Sequence, residues 1–284
     1  MSLTVQPVPT KLNLIVLMLK CPELESFVVS DMYHSNGLEF ITLNGGLSLQ
    51  PIKKYESVLS DNLLVLTQIC KQSEGYYPGV KGLFLGPDLL TLLKGNSKIL
   101  KVKVCNLIGQ MCKHSDFFYL DLRDANIFPE MIRLCGDSDK VVKKASSFAI
   151  GNAAYYSNSL YLTLAPAIKP IVFLLKDKDE RIKTNSIGTL SNLTRNSDSL
   201  VPKIIENQIP LIFVDMLLYD KSFIVKKLIL HAFRNFFKHQ LIVKNIKKVF
   251  DEKRKKAFKS LIERKDLSDL SKHLNAVRKH LGIK

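Results

Sequence analysis

Apolar positions along this chain recur with the period of a helix, and no alternating, strand-like runs of comparable weight appear. Runs such as "DLLTLL", "EMIRLC", "IVFLL" and "LIFVDMLL" set apolar side chains three and four apart, on one helical face. Each run follows a proline: Pro87, Pro129, Pro170 and Pro210, at intervals of 42, 41 and 40 residues. Asn44-Gly45-Gly46 holds the same place in an earlier unit. Next comes a polar break, "GNSK", "GDSDK", "KDKDE" or "YDKS". Asp139 and its counterparts there suit helix N-caps, because a short polar side chain accepts from the free N–H groups of a first turn. A longer amphipathic helix follows and ends near an amide residue. These amides are Gln68, Gln110, Asn152, Asn192 and Asn235, at intervals of 42, 42, 40 and 43.

An all-helical unit of 40 to 43 residues predicts an all-α, right-handed α-solenoid of armadillo/HEAT-like repeats. Such units bury their apolar faces only by stacking, so both ends need covers. The pattern places an N-terminal helical cap or partial repeat at 1–41, five repeats at 42–240, and a basic helical cap at 241–284. In armadillo repeats the amide position lies on the third helix, which lines the concave face. There an amide can tie one repeat to the next or capture the backbone of an extended peptide; the pattern leaves both readings open.

Composition and charge sharpen this picture. With 46% apolar residues the chain can bury a large core. The five cysteines (Cys21, Cys70, Cys105, Cys112, Cys135) sit inside apolar helical patterns without a Cys-x-x-Cys pair, as reduced thiols of a cytoplasmic protein would. "LIVLML" at 14–19 is far shorter than the roughly twenty residues of a membrane span, and reads as packed helix. The net charge of +16 is uneven: residues 238–284 hold 15 Lys or Arg against 5 Asp or Glu. Within that end Ile242, Ile246, Val249, Phe250, Ala257, Leu261 and Ile262 recur at mostly helical spacings. Leu267, Leu270, Leu274, Val277 and Leu281 follow at strict i+3/i+4 steps. Lys247, Lys248, Lys255, Lys256 and Lys259, with Lys244, fall on the opposite side as a basic patch. A second basic row, Lys101, Lys143, Lys183 and Lys226, precedes the last four amides by nine residues. One Lys per repeat in register suggests a positive stripe beside the groove, favouring an acidic or extended protein segment. The expected groove residues are Gln68, Gln110, Asn152, Asn192, Arg195 and Asn235.

Two stretches carry more than the period. "FAIGNAAYYSNSLY" (148–161) and "IKTNSIGTLSNLTRNSDSL" (182–200) resemble the C-terminal armadillo region of the Fused family of serine/threonine kinases, in the same order and spacing. The similarity is specific over about 141–200 and thins toward both ends. The resemblance implies a chain that is the tail of a longer kinase. It further implies a kinesin-like or microtubule-associated partner and a place in cilium-, cytoskeleton- or signalling-linked processes. The Trp that the importin-type groove carries four residues before each amide is replaced here by Leu64, Asn106, Phe148, Gly188 and His231. That argues against a nuclear-import receptor.

Catalytic signatures are missing from this sequence. "GVKGLFLGP" lacks Walker spacing, and neither His-Arg-Asp nor Asp-Phe-Gly occurs. His231 and His239 lie on one helical pattern without an acid or thiol to complete a metal set. No cofactor is expected, and the chain reads as a non-catalytic protein-interaction scaffold. The alternative is a helical repeat that binds polyanions or nucleic acid through its charge. Against it, aromatics are not interleaved with the basic residues of the tail.

Overall fold

A computed structural model describes residues 52–83, 85–156, 158–195 and 198–283. The expectations for 1–41, for Asn44-Gly45-Gly46 and for Cys21 lie outside these residues. Every element among the described residues is a helix or a turn, and they fall into two compact units, divided after Tyr156.

The first unit opens with a long helix, α1 (Ile52–Gln72), and then runs twice through short, medium and long helices. These are α2 (Tyr77–Lys81), α3 (Gly86–Lys94) and α4 (Lys98–Met111), then α5 (Tyr119–Asp124), α6 (Ile127–Leu134) and α7 (Lys140–Ala153). The long helices pack in sequence, α1 on α4 and α4 on α7, and α3 packs on α6 beside them. The second unit repeats the order: α8 (Tyr161–Leu164), α9 (Ile168–Leu174) and α10 (Glu180–Arg195), then α11 (Val201–Glu206), α12 (Ile209–Tyr219) and α13 (Phe223–Phe236). Three more helices follow: α14 (Gln240–Val249), α15 (Glu252–Ile262) and α16 (Ser271–Leu281).

The breaks before the long helices work as the sequence predicts. Asp139 accepts from the N–H groups of Val141 (2.8 Å) and Val142 (3.3 Å), and Asp179 does the same for Arg181 and Ile182. Ser97 and Ser222 cap Leu100 and Val225. A second acid two residues earlier tightens three of the turns: Asp137 accepts from Asp139 N–H, Asp177 from Asp179 N–H, and Asp220 from Ser222 N–H. Asn126 and Gln208 adopt left-handed φ of 57° and 55° where a short helix turns into the medium one. Asn tolerates that region best among the larger residues; Gln208 meets it without that advantage.

The core runs down the seam between neighbouring helices. Cys70, Cys105, Cys112 and Cys135 are all buried in it as free thiols. Burial pushes Cys70 and Cys135 up to about 12, so they stay protonated and inert. At the C-terminal end the row Leu267, Leu270, Leu274, Val277 and Leu281 is buried throughout, as are Ile242, Ile246, Phe250 and Leu261. Helix α16 lies on α13, and α14 and α15 lie on α12, so the apolar faces of the last long and medium helices are covered.

Candidate functional site

The site to be built is the half-buried and exposed side of the long helices, where the sequence places the amides. Asn152, on α7, donates through Nδ2 to the carbonyl of Gly109 on α4, at 2.7 Å. Asn235, on α13, donates to the carbonyl of Ser191 on α10 at 3.1 Å and to its Oγ at 3.0 Å. Each bond joins the long helices of consecutive repeats, and each acceptor is the small residue just before the preceding repeat's own amide. That explains the recurring pair of a small residue and an Asn. The small residue lets the next helix come close, and the Asn completes a carbonyl that the approach would strand. At Gly109 the fit is tight, since an added Cβ would meet the Phe148 ring at 2.7 and 2.9 Å. A net bond of this kind stabilises by about 1 kcal/mol, and stranding its buried acceptor costs about 1–3 kcal/mol.

The amide row is not uniform. The side-chain oxygens of Gln68 and Gln110 are buried without a hydrogen-bond partner. Asn192 and Arg195 are half-buried on α10. A feature that periodicity alone did not bring out supports the amide backbones instead. The hydroxyl of buried Tyr77 donates to the carbonyl of Gln110 (2.7 Å), Tyr119 to that of Asn152 (3.1 Å) and Tyr161 to that of Asn192 (2.9 Å). Each tyrosine opens the short helix of its repeat and ties it to the end of the long one. The 42-residue spacing of Tyr77, Tyr119 and Tyr161 was the signal available in the sequence.

The lysine row nine residues before the amides departs from the open stripe expected of it. Lys183 binds Asp220 at 2.8 Å, in the break before the next long helix, and Lys101 reaches Asp137 at 3.9 Å in the same relation. Lys143 is half-buried on α7 and also engaged. Lys226 is 1% exposed, its ammonium donating to the carbonyls of Leu217 (2.6 Å) and Leu218 (3.4 Å) at the end of α12. It therefore does not belong to a surface stripe. The reason is geometric: a residue at the start of a long helix faces the break that enters the next, and a long amphipathic side chain can satisfy the acids and carbonyls there. Burial raises the Asp220 carboxyl, but hydrogen bonds from Lys183 and the Ser222 N–H outweigh it and hold the group below its usual range. Burial lowers the Lys226 ammonium, helped by the nearby Arg264 charge and opposed by Asp220 and Asp266.

The outward cations lie elsewhere. Lys227, His231, Arg234 and Lys238 are all exposed and follow one another at four, three and four residues along the α13 pattern, hence on one face. In the C-terminal patch Lys247, Lys248, Lys256 and Lys259 are exposed, while Lys255 is half-buried and paired with Glu252 at 2.6 Å. His239 is buried with both ring nitrogens facing acceptors: Asp198 Oδ1 at 2.7 Å and the Thr194 carbonyl at 2.6 Å. It locks the end of α13 to the end of α10. Among the described residues no cluster of His, Cys, Asp or Glu could hold a metal ion, and no helix is long and apolar enough to cross a membrane.

Against known proteins, the armadillo/beta-catenin-like repeat family matches residues 165–195. A search of curated protein sequences finds no match. Solved structures with the same build include a designed armadillo repeat protein in complex with the peptide (KR)4, with a TM-score of 0.73 at 19% identity, covering 83% of this chain and 96% of that one. Another is a computationally designed armadillo repeat protein for modular peptide recognition (TM-score 0.69, 21% identity, 79% and 94% covered). An engineered protein aligns over 95% of this chain and 68% of its own, with a TM-score of 0.78 at 15% identity. The fold is that of an armadillo-repeat solenoid. In armadillo terms α4, α7, α10 and α13 are third helices, and the Asn–carbonyl bonds are joints between successive repeats.

Proposed function

We propose that this chain is a non-catalytic protein-binding scaffold whose outward third-helix face holds an acidic or extended segment of a protein partner. The observation that carries the reading is the exposed row Lys227, His231 and Arg234 on α13 with Lys238 in the turn that follows it. Three permanent cations on one solvent-facing stripe attract and orient an acidic chain. The designed armadillo protein that binds (KR)4 supports the use of this fold for extended peptides. The present stripe has the opposite preference in charge. Within the second unit Asn192, Arg195 and Asn235 would border the bound segment, and Gln68, Gln110 and Asn152 hold the corresponding places in the first unit. The helices α14 to α16 of the basic end close the last repeat of the scaffold.

The finer assignment rests on the two stretches in 141–200 that resemble the Fused family. On that basis the chain is the C-terminal armadillo region of a Fused-type serine/threonine kinase, cytoplasmic and associated with cytoskeleton or cilium, and its partner is a kinesin-like protein. Affinity capture on the wild-type chain and on a Lys227→Glu/Lys238→Glu variant tests this. A kinesin-like motor recovered by the first and lost by the second supports the assignment. Equal recovery by both removes the stripe from the interaction, and recovery of no motor removes the partner assignment.

A further inference from the structure

At the C-terminal end of the second unit, α13 and α16 leave a cleft of ≈ 530 Å³ between them. Its polar lining is entirely cationic or basic: Arg234 from α13, Lys238 from the turn after it, and Lys272, His273 and His280 from α16. No acidic residue lines it, and Arg234, Lys238 and Lys272 form no ion pair among the described residues. Three further observations point to an anion. Lys272 and His273 stand in the first turn of α16, which holds no acidic residue and continues from the 3-10 turn Lys265–Leu270. Cations at that end of a helix are offset by a nearby negative group. The Nδ1 of His273 is buried without a hydrogen-bond partner. His231, whose ring centroid is 5.2 Å from that of His273, is held below the ordinary histidine range by partial desolvation of its ring and then by the positive groups His273, Arg234 and Lys227.

We infer that this cleft binds a phosphorylated serine or threonine on a peptide segment. A phosphoryl group brings a charge of about −1.5 to −2 and three strong acceptor oxygens. It can take hydrogen bonds from Arg234, Lys238 and Lys272 together, where a carboxylate has fewer acceptors for as many donors. A nucleic-acid strand fits less well, because it also requires an aromatic face for its bases. The aromatic side chain of the cleft, Phe237, already stacks on Phe233 (5.6 Å between centroids) and on His280 (4.4 Å). The cleft shares Arg234 and Lys238 with the stripe, while Lys272, His273 and His280 belong to the cleft alone and Lys227 to the stripe alone.

The test uses the full chain and three capped tripeptides, Gly-Xaa-Gly, in which Xaa is phosphoserine, glutamate or serine. Binding is followed by NMR shift perturbation and calorimetry. The phosphoserine peptide should saturate, perturb Lys272 and His273, and bind about tenfold or more tightly than the glutamate peptide. Lys238→Met/Lys272→Met should abolish the saturable shift, and Lys255→Met/Lys256→Met should leave it within about twofold. Both replacements are at exposed or half-buried surface positions, and an unchanged melting temperature verifies each fold. Equal affinity for the phosphoserine and glutamate peptides overturns the inference. So do an unchanged titration in Lys238→Met/Lys272→Met, an absence of saturation, and tighter binding of a short single-stranded oligonucleotide than of the phosphopeptide.

Discussion

At the α4–α7 joint Asn152 reaches a glycine carbonyl, and the Phe148 ring fills the space a Cβ would need. At the α10–α13 joint Asn235 reaches a serine and uses both its carbonyl and its hydroxyl. The first joint combines steric fit and one amide hydrogen bond with the looser ion pairs Lys101–Asp137 (3.9 Å) and Lys98–Asp139 (3.3 Å). The second has an extra acceptor, a short Lys183–Asp220 ion pair and the buried His239 between Asp198 and Thr194. Two armadillo joints of one plan can thus lean more on packing or more on polar bonds, and the small residue at 109 or 191 is one place where they differ. The polar joint is also the one whose outer face shows the Lys227–Lys238 stripe. It has more bonds inside and more charge outside.

The largest predicted effect probes what the joints share. Asn152→Ala and Asn235→Ala should each lower the free energy of unfolding in urea by about 2 kcal/mol, because a buried carbonyl is left without its donor. Asn235→Ala should cost more, since it strands two acceptors. An unchanged urea midpoint for Asn152→Ala would mean that the amide has no joining role.

Swapping the small residues sharpens the difference. Ser191→Gly should cost about 1 kcal/mol, through the lost hydroxyl and the poorer helix propensity of glycine. Gly109→Ser should also cost about 1 kcal/mol, for another reason: it drives Cβ into the Phe148 ring. Adding Phe148→Leu should then recover much of the loss in the Gly109 variant and none in the Ser191 variant. The same recovery in both backgrounds would erase the distinction between a packed and a bonded joint.

The ion pairs give a smaller effect with a pH signature. Asp220→Asn should destabilise by about 0.5 kcal/mol more than Asp137→Asn, since Lys183 sits at 2.8 Å from Asp220 and Lys101 at 3.9 Å from Asp137. The folded Asp220 titrates below its unfolded value, so its contribution is complete above the unfolded carboxylate range and is lost as pH falls through the lower folded value. Thermal unfolding across pH 2–6 should therefore show a shallower acid limb for Asp220→Asn than for wild type. Smallest of all, Lys227→Glu/Lys238→Glu should leave stability within about 0.5 kcal/mol, because both side chains face solvent.

The repeat period, the helix breaks and the capping acids were legible in the sequence because they depend on local chemistry. Asp139 caps through its own turn, and Pro87 or Pro129 marks a helix wherever that helix later packs. The inner and outer roles of the lysines were not legible. Lys226 and Lys227 are neighbours in sequence and identical in composition, yet one caps a buried helix end and the other meets water. That choice is made by the break of a different repeat, which periodicity cannot locate in space. The tyrosine row could have been read from its spacing, whereas its acceptors are backbone carbonyls that no side-chain pattern marks. The cleft between α13 and α16 brings together residues about forty apart in sequence, and only packing shows that they meet.

The central claim is a division of labour: the amides join repeats, and the outward cations meet the partner. Titrating a fluorescent oligoglutamate peptide at low salt against Asn235→Ala and Lys227→Glu/Lys238→Glu tests it most directly. The account predicts affinity within about twofold of wild type for the amide variant and about tenfold or more weaker for the charge-reversed one. Weak binding by Asn235→Ala together with unchanged binding by Lys227→Glu/Lys238→Glu would contradict it.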